Sequence, residues 1–541
     1  MNYTIVGIDF GTSTTVVKVK KYFVGMNPRD CQTLMFGSYP YLSTLVFEDE
    51  NNRLYFGSEA EAQANAGVTG TMYENFKMGL IGNSEQQAQA KRLIKEYFKY
   101  IYTEFDKQRQ ILNATGDIRT NVSYPVKWTP EIKSLMKQCA QEAGFSNVSG
   151  EGEPTAAIYA SLASRMEDLQ KEHIIIKNQA INAMMLDMGA GTSDIAIFTF
   201  KIDSDNKVII DEQTTYPTVD NTYLCGGREI DKLLYEHLRN YVKSVNNQIS
   251  EDFFKQMKTG IKSWKESILP KHLQENKAVG LPANVQVLVS MFSQNKPFEN
   301  IDRHQFELIT QSHWQQLRSL IADAVKEAKN ILPGGAMDID LVILTGGHSQ
   351  WYGIKEFILG NDFAALEPID FAKIKQQPQR LLQEARPQET VAHGLIFKDL
   401  PFDVKHTMGN SVWIQFEIDG QKSELFDVCS VNDVLPVTTE KNWTIIVEKS
   451  RSSIESLPVI CHCYCGSEIE TAKYYQGVSE IQLNDAITAA VGFIFGGFAG
   501  AQDKYEVKIS ATIDIEEDGT AKVTGISQSK YNKGKTFIIM I

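Results

Sequence analysis

The sequence predicts a two-lobed α/β domain followed by an all-β domain, and three observations carry that reading. A motif of strand, acid, glycine turn and strand occurs twice; strands and helices alternate around both copies; and apolar spacing changes from helical to period two beyond residue 408. Ile5 to Val19 read IVGIDFGTSTTVVKV, and Met184 to Phe198 read MMLDMGAGTSDIAIF. In the first copy the apolar run Ile5, Val6, Ile8 stops at Asp9, Gly11-Thr12-Ser13 turn the chain, and Thr15, Val16, Val17 and Val19 resume the strand. In the second, Met184 to Leu186 lead to Asp187, Gly189 and Gly191 make the turn, and Ile195, Ile197 and Phe198 return. A glycine turn lets backbone N–H groups crowd around an anion, and the hydroxyls of Thr12, Ser13 and Thr192 add donors. A Walker loop would need Gly-Lys-Ser/Thr opening a helix, whereas both copies return into a strand without lysine. Asp9 and Asp187 would repel phosphate unless a divalent cation sat between them. Two facing hairpins with Mg²⁺ would then hold a nucleoside triphosphate from both sides. Either hairpin alone reads more readily as an ordinary glycine turn; their duplication in two halves of one chain favours the phosphate cradle.

Composition narrows the classes. With 541 residues the chain exceeds one core and predicts about three or four domains. A formal charge of −13 without any Lys/Arg run argues against a nucleic-acid or anionic-membrane partner. Met1 to Thr4 run straight into the first strand, so no signal peptide is expected, and the 7 irregularly spaced cysteines read as reduced cytoplasmic thiols. Hydrophobic content of 43% and charged content of 22% are globular values. The charge-free, Gly-rich stretch Ala486 to Gln502 is short of a membrane span.

Along the chain, Leu34 to Phe47 and Leu54 to Phe56 read as strands, and Lys77 stands between Phe76 and Met78 as an ammonium held pointing into a cleft. Ser84 is expected to cap a helix through Ile94, Tyr97, Phe98, Ile101 and Phe105. Val122 to Pro125 form a strand, and a helix runs from Thr129-Pro130 to Gly144. Pro154 suits a first helical position, which places Glu153 at the cap with its carboxylate projecting from a helix start. A helix begins within Leu224 to Asp231, where His237 reads as packed rather than metal-binding, and another covers Phe253 to Ile268. Asp302 caps one long helix through Phe306, Leu317, Leu320 and Ile331. Leu341 to Leu344 form a buried strand ending at Gly346-Gly347, against whose bare backbone a base or ribose can lie, and Pro387 opens a last helix. After the acidic connector Asp399 to Val404, three runs alternate: Val412 to Ile418, Val459 to Cys465 and Tyr505 to Ile515. Glu516 to Thr520 is the clearest hairpin turn, and Cys461, Cys463 and Cys465 read as buried small side chains rather than a metal site.

These residues together resemble the DnaK-type heat-shock chaperones, relatives of actin and the sugar kinases. The resemblance rests on GIDFGTS at Gly7 to Ser13, Lys77, GEPTAA at Gly152 to Ala157, DMGAGTSD at Asp187 to Asp194, GGREID at Gly226 to Asp231 and TGGHS at Thr345 to Ser349. Beyond the connector it is looser, carried by Asp433-Val-Leu-Pro436 and the strand pair Val507 to Ile526. It implies an α/β two-lobed actin-like ATPase domain of duplicated ribonuclease-H-like fold over 1–398, with lobe I about 1–185, lobe II about 186–365 and a return to lobe I about 366–398. An interdomain linker at 399–407 and a β-sandwich for peptide or a partner at 408–541 follow, and the family's helical lid has no counterpart. The implied cofactors are ATP or ADP with Mg²⁺: Asp9 and Asp187 lie around the metal and its waters, with Glu153 in the outer shell. Lys77 would contact the γ-phosphate and attacking water, Asp194 would complete the site, and Gly11, Thr12, Ser13, Gly189, Gly191 and Thr192 would hold phosphates. Gly226, Gly227, Gly346, Gly347, Lys265 and Gln350 would face ribose and adenine, and Pro125 with Lys133 would form the interdomain relay.

The departures from the family are specific. Ala190 replaces a third glycine, His348 and Gln350 replace a serine and an adenine-stacking arginine, and Lys265-Glu266 replaces Lys-Arg. Lys133 stands for an arginine and keeps the charge without the bidentate fork, and Pro401 and Phe402 interrupt the linker's leucines. The resemblance implies a cytoplasmic ATP-binding, chaperone-like ATPase that couples nucleotide state to binding of extended apolar peptide or a partner protein. A non-hydrolysing regulatory scaffold is the first alternative and a small-molecule kinase of the same superfold the second.

Overall fold

The computed structural model describes residues 3–22, 31–125, 128, 130–191, 193–205, 207–216, 225–245, 248–283, 286–287, 290, 300–331, 339–359, 371–397, 405–407, 411–418, 420–430, 433, 436–449, 456–466, 468–482, 503–515, 521–527 and 535–540. Thr192, the connector Asp399 to Val404, the segment Ala486 to Gln502 and the turn Glu516 to Thr520 lie outside them. Two compact units are present: Met1–Lys127, Cys139–Phe200 and Gln213–Pro401 make the first, and Trp128–Gln138, Lys201–Glu212 and Phe402–Ile541 the second.

In the first unit, β1 (Tyr3–Phe10) and β2 (Thr14–Tyr22) form the first hairpin, with Ile5, Val6, Ile8, Val16 and Val17 almost wholly buried. Such continuous burial, rather than alternation, marks a sheet covered on both faces. The short strands β3 (Gln32–Thr33) and β4 (Leu42–Ser43) pair with β2, whereas β5 (Leu45–Asp49), β6 (Leu54–Phe56) and β7 (Gly70–Glu74) make a separate sheet. The expected strand from Leu34 is therefore corrected: a turn with Gly37 at φ 63° and a Phe36–Tyr39 bridge interrupts it, since a positive φ cannot continue a strand. β8 (Asp117–Tyr124) and β9 (Val148–Gly152) run parallel to β1, giving the order β3-β2-β1-β8-β9.

The second hairpin, β10 (Ile181–Met188) with β11 (Ser193–Ile202), repeats this plan. β12 (Val208–Tyr216) follows in sequence, and β13 (Leu341–Thr345) and β14 (Leu381–Gln383) lie parallel to β10. The order β14-β13-β10-β11 has the same pairing senses as β9-β8-β1-β2, so the repeated motif is the hairpin of a repeated mixed sheet.

Helices flank these sheets: α1 (Ser58–Asn65), α2 (Ser84–Gln108), α4 (Glu153–Lys171), α5 (Gly227–Val245) and α6 (Glu251–Ser267), while α3 (Pro130–Ala143) is divided, its residues to Gln138 belonging to the second unit. Two caps differ from expectation. Asn83, not Ser84, caps α2 in a reciprocal pair with Gln86, and Gly152, not Glu153, caps α4, leaving Glu153 in its first turn. The single helix expected after Asp302 is two, Arg303–Ile309 and Gln311–Ile331. Thr310 sits at the break, its hydroxyl donating to the Phe306 carbonyl at 2.7 Å and accepting from Trp314 Nε1 at 2.9 Å. Trp314, Leu317, Leu320 and Ile321 then pack with Ile230, Leu234, Leu238, Met257 and Ile261 over Met184, Leu186, Ile195 and Leu344. The last helix of this unit, Thr390–Leu395, crosses α4 backbone to backbone: a Cβ on Gly394 would lie 1.6 Å from the Ala156 carbonyl oxygen.

The second unit holds β15 (Lys405–Thr407), which pairs in parallel with Ile209 to Asp211. Two antiparallel sheets follow. One is formed by β16 (Ser411–Ile418), β17 (Gln421–Lys422), β18 (Phe426–Cys429), β20 (Ser456–Gly466) and β21 (Lys473–Gln482). The other is β19 (Val437–Lys449), β22 (Asp503–Ile515), β23 (Ala521–Ser527) and β24 (Lys535–Met540) in that order. A single apolar cluster draws on both: Val412, Ile414, Phe416, Ile418, Val459, Cys461 and Cys463 with Trp443, Ala511, Ile513 and Val523. Val412 to Ile418 and Ala511 to Ile515 therefore bury alternate side chains as expected, and Phe416 stacks on Trp443 at 4.3 Å. On the other face of β20, His462 is nonetheless buried, its ring nitrogens 2.7 Å from Tyr474 Oη and 2.9 Å from Glu417 Oε2.

Candidate functional site

The first glycine turn follows from β1 reaching its last paired residue at Phe10. Gly11 N–H donates to the Thr14 carbonyl at 3.0 Å, and a Cβ on Gly11 would stand 2.5 Å from that oxygen, so the turn requires glycine. Thr44 fixes it from the side, donating its backbone N–H to the Ser13 carbonyl at 2.8 Å and its hydroxyl to the Gly11 carbonyl at 2.9 Å. Thr12 and Ser13 are half-buried within it. At the foot of the turn, Asp9 accepts a hydrogen bond from Ser123 Oγ at 2.7 Å, which β8 supplies from the neighbouring strand.

Lys77 reaches the same place from a short 3₁₀ turn, Phe76–Ile81, entered through Asn75 at φ 56°. Lys77 is 2% exposed, and its ammonium donates to the Phe10 carbonyl at 2.5 Å and to Glu153 Oε1 at 3.1 Å. Glu153 arrives from the first turn of α4, where Pro154 and the Gly152 cap start the helix. One buried cation thus ties the end of β1 to the start of α4.

The second turn is built by closer packing. Asp187 and Asp194 face each other across the β10–β11 ladder, and Asp187 accepts from Thr345 Oγ1 at 3.0 Å. Gly346, at φ 78°, passes so near that a Cβ would lie 2.3 Å from the Met188 carbonyl oxygen and 2.6 Å from Asp187 Oδ1. Gly226 lies equally close, its virtual Cβ 2.6 Å from the Gly191 carbonyl carbon, and Gly227 N–H donates to the Gly189 carbonyl at 3.2 Å. Gly191 itself faces open space. Ala190, in place of a third glycine, is accommodated, its carbonyl accepting from Arg228 N–H at 2.6 Å.

Acids outnumber cations around the two turns. Burial pushes Asp9 up to about 7, with Glu153 adding to the rise and Ser123 and Lys77 opposing it. Burial likewise pushes Asp187 up to about 8, reinforced by Glu153, Asp194 and Asp9 and opposed by Thr345. These desolvated carboxylates fit a divalent cation, which would hold them ionised. Among the described residues no group of three His, Cys, Asp or Glu side chains is placed to hold a metal ion.

Beyond Gly227 lies a corner of different chemistry. Lys265 is 4% exposed and donates to the Gly227 carbonyl at 2.9 Å, with Asp231 Oδ1 2.7 Å from its ammonium. His348 follows Gly347, and its Nε2 lies 3.3 Å from Nε2 of the fully buried His313. A Cβ on Gly227 would meet Lys265 Nζ at 3.4 Å and His348 Nδ1 at 3.5 Å. Gln350 donates to Gln388 Oε1, and a Cβ on Gly347 would meet the Gln388 Cβ at 4.0 Å.

The structure therefore gathers Asp9, Lys77, Glu153, Asp187 and Asp194 into one electrostatic cluster and sets Gly226, Gly227, Lys265, Gly346 and His348 beside the second turn. Pro125 is half-buried after β8 in the first unit, and Lys133 is buried on α3 in the second. Sequence reasoning missed Ser123, Thr345, Asp231 and His313. Thr345 had a signal, standing between a buried strand and Gly346; His313 had one in sharing the helical face of Leu317 and Leu320.

The repeated mixed sheets with helices around them fit an actin-like ATPase. Residues 122–363, less than half of the chain, match the Hsp70 protein family model, and over that span the chain is similar to this family. Glu153, Asp187, Lys265 and Gly346 lie inside the matched span, and Asp9 and Lys77 before it. Comparison with curated proteins finds no match. The match suggests a nucleotide-binding, chaperone-like function. Among the described residues no helix is long and apolar enough to cross a membrane.

Proposed function

We propose that residues 1–398 bind Mg²⁺-ATP between the two hairpin turns and hydrolyse it, and that residues 408–541 form a β-sandwich that takes extended peptide or a partner protein, with 399–407 as the link. The observation that carries this reading is the convergence of Asp9 and Asp187, from duplicated hairpins, with the Lys77–Glu153 pair in one field. Asp9 and Asp187 would hold Mg²⁺ through water, with Glu153 outside them. The metal would neutralise phosphate charge, which is most of what phosphoryl transfer asks of a site. Gly11, Thr12 and Ser13 on one side and Gly189, Gly191 and Thr192 on the other would supply phosphate donors, while Gly226, Gly227, Gly346 and Gly347 let sugar and base approach bare backbone. Lys77 would orient the attacking water, held in place by the Phe10 carbonyl and Glu153. Pro125 and Lys133 would relay the nucleotide state toward the linker.

Single-turnover hydrolysis of ATP by the parent and by Lys77→Ala tests this, with nucleotide binding measured by calorimetry. Turnover in the parent and a loss of about 100-fold or more in the variant, binding retained, is expected. Equal rates in both proteins would remove Lys77 from the mechanism. A second reading, a scaffold in which nucleotide sets conformation without turnover, is favoured by one feature. His348, Gln350 and Glu266 replace the residues that the family places around the base, and Lys265 and Gln350 are held by protein partners. Saturable binding with no turnover in the parent would select it.

A further inference from the structure

We propose that His348 reads the nucleobase: His313 holds it as the Nδ1–H tautomer, so that it donates a hydrogen bond to a lone-pair-bearing edge of the base. The inference rests on the proposed nucleotide site and concerns which ligand edge that site accepts.

The geometry begins with a buried pair. His313 is fully buried, His348 is 8% exposed, and their Nε2 atoms are 3.3 Å apart, so one ring must donate to the other. The remaining nitrogens decide the direction. His313 Nδ1 is buried with no hydrogen-bond partner. A buried orphan N–H is the rarer and costlier defect than an unused lone pair, so His313 carries its proton on Nε2 and gives it to His348. His348 Nε2 is then the acceptor, and its proton must sit on Nδ1. Burial keeps both imidazoles neutral, His313 being pushed down to about 3, so neither ring escapes the choice by taking a second proton.

His348 Nδ1 points into the corner lined by Gly227, where a Cβ would come within 3.5 Å of it. That corner adjoins the second turn, because Gly226 packs on Ala190 and Gly191. Its charge is already balanced: the Lys265 ammonium is taken up by Asp231 and the Gly227 carbonyl. A neutral corner with one side-chain donor and glycine backbone suits a flat heteroaromatic ring and offers little to another phosphate. His313 is a positioning residue here, acting only through the tautomer of His348.

The test is calorimetric binding of Mg²⁺-ADP, of its 1-deaza, 3-deaza and 7-deaza analogues, and of Mg²⁺-tripolyphosphate as a baseless probe. The proteins are the full chain, His348→Leu, His348→Gln and His313→Leu. In the parent, one deaza analogue is expected to bind about tenfold more weakly than ADP, the loss of one hydrogen bond. That discrimination should vanish in His348→Leu, persist in part in His348→Gln, whose amide can still donate, and fall in His313→Leu, while tripolyphosphate binds all four alike. Discrimination surviving unchanged in His348→Leu overturns the inference and leaves the nucleotide site standing. Failure of the parent to bind either ADP or tripolyphosphate overturns the site and the inference together.

Discussion

Replacing Asp187 by Asn should stabilise the cation-free protein, and increasingly so as the pH rises above about 4. Asp187 is raised from 3.8 to about 8, so between those values the native state holds a proton that the unfolded chain releases. Stability therefore falls as pH rises through that window, the reverse of the usual salt-bridged carboxylate. The full shift at about 1.4 kcal/mol per unit would approach 6 kcal/mol. Asp187 is only half-buried and shares its field with Asp9, Asp194 and Glu153, so about 2 kcal/mol is the realistic gain. Asn keeps an oxygen for the Thr345 hydroxyl and removes the charge. Scanning calorimetry in the presence of chelator should put the variant about 2–3 °C above the parent at pH 8.5, with the gap closing only as the pH falls toward about 4. A variant no more stable at pH 8.5, or a gap independent of pH, would refute the claim that crowded carboxylates strain this site.

The same protons should appear on ligand binding. At pH 7.5, Mg²⁺-nucleotide should release up to about one proton as Asp9 and Asp187 ionise, seen as different observed enthalpies in phosphate and Tris buffers and largely lost in Asp187→Asn. Gly394→Ala places a methyl 1.6 Å from the Ala156 carbonyl oxygen, so separation of the last helix from α4 should cost about 3 kcal/mol or more in denaturant titrations. Burial raises the thiol of Cys463 to about 12 and moves Cys461 up still further, so both should resist iodoacetamide at pH 8 until the protein unfolds.

Several elements were legible in the sequence because they depend on local chemistry. The two glycine turns were readable, since Asp9, Gly11 and the β-branched return, and their counterparts from Asp187 to Phe198, are adjacent in the chain. The alternation of Val412, Ile414, Phe416 and Ile418 likewise announced a strand with one buried face. Local rules failed where neighbours competed. Asn83 offers a better cap than Ser84 because Gln86 can complete the reciprocal pair, and the Thr310 hydroxyl takes a carbonyl in the middle of an otherwise uninterrupted apolar stripe.

By itself, then, the sequence determined the doubled hairpin, its acids and glycines, and the change to β-structure, all of which are set by periodicity and turn chemistry. Tertiary structure decided what those residues do to one another. The rise at Asp187 requires Glu153, Asp194 and Asp9 to meet in a poorly solvated place, and the burial of Lys77 requires Phe10 and Glu153 to converge on its ammonium. The His313–His348 pair joins a helix to the end of a strand far along the chain. Electrostatic and hydrogen-bonding energies depend on distance and burial in space, and spacing along the chain carries neither.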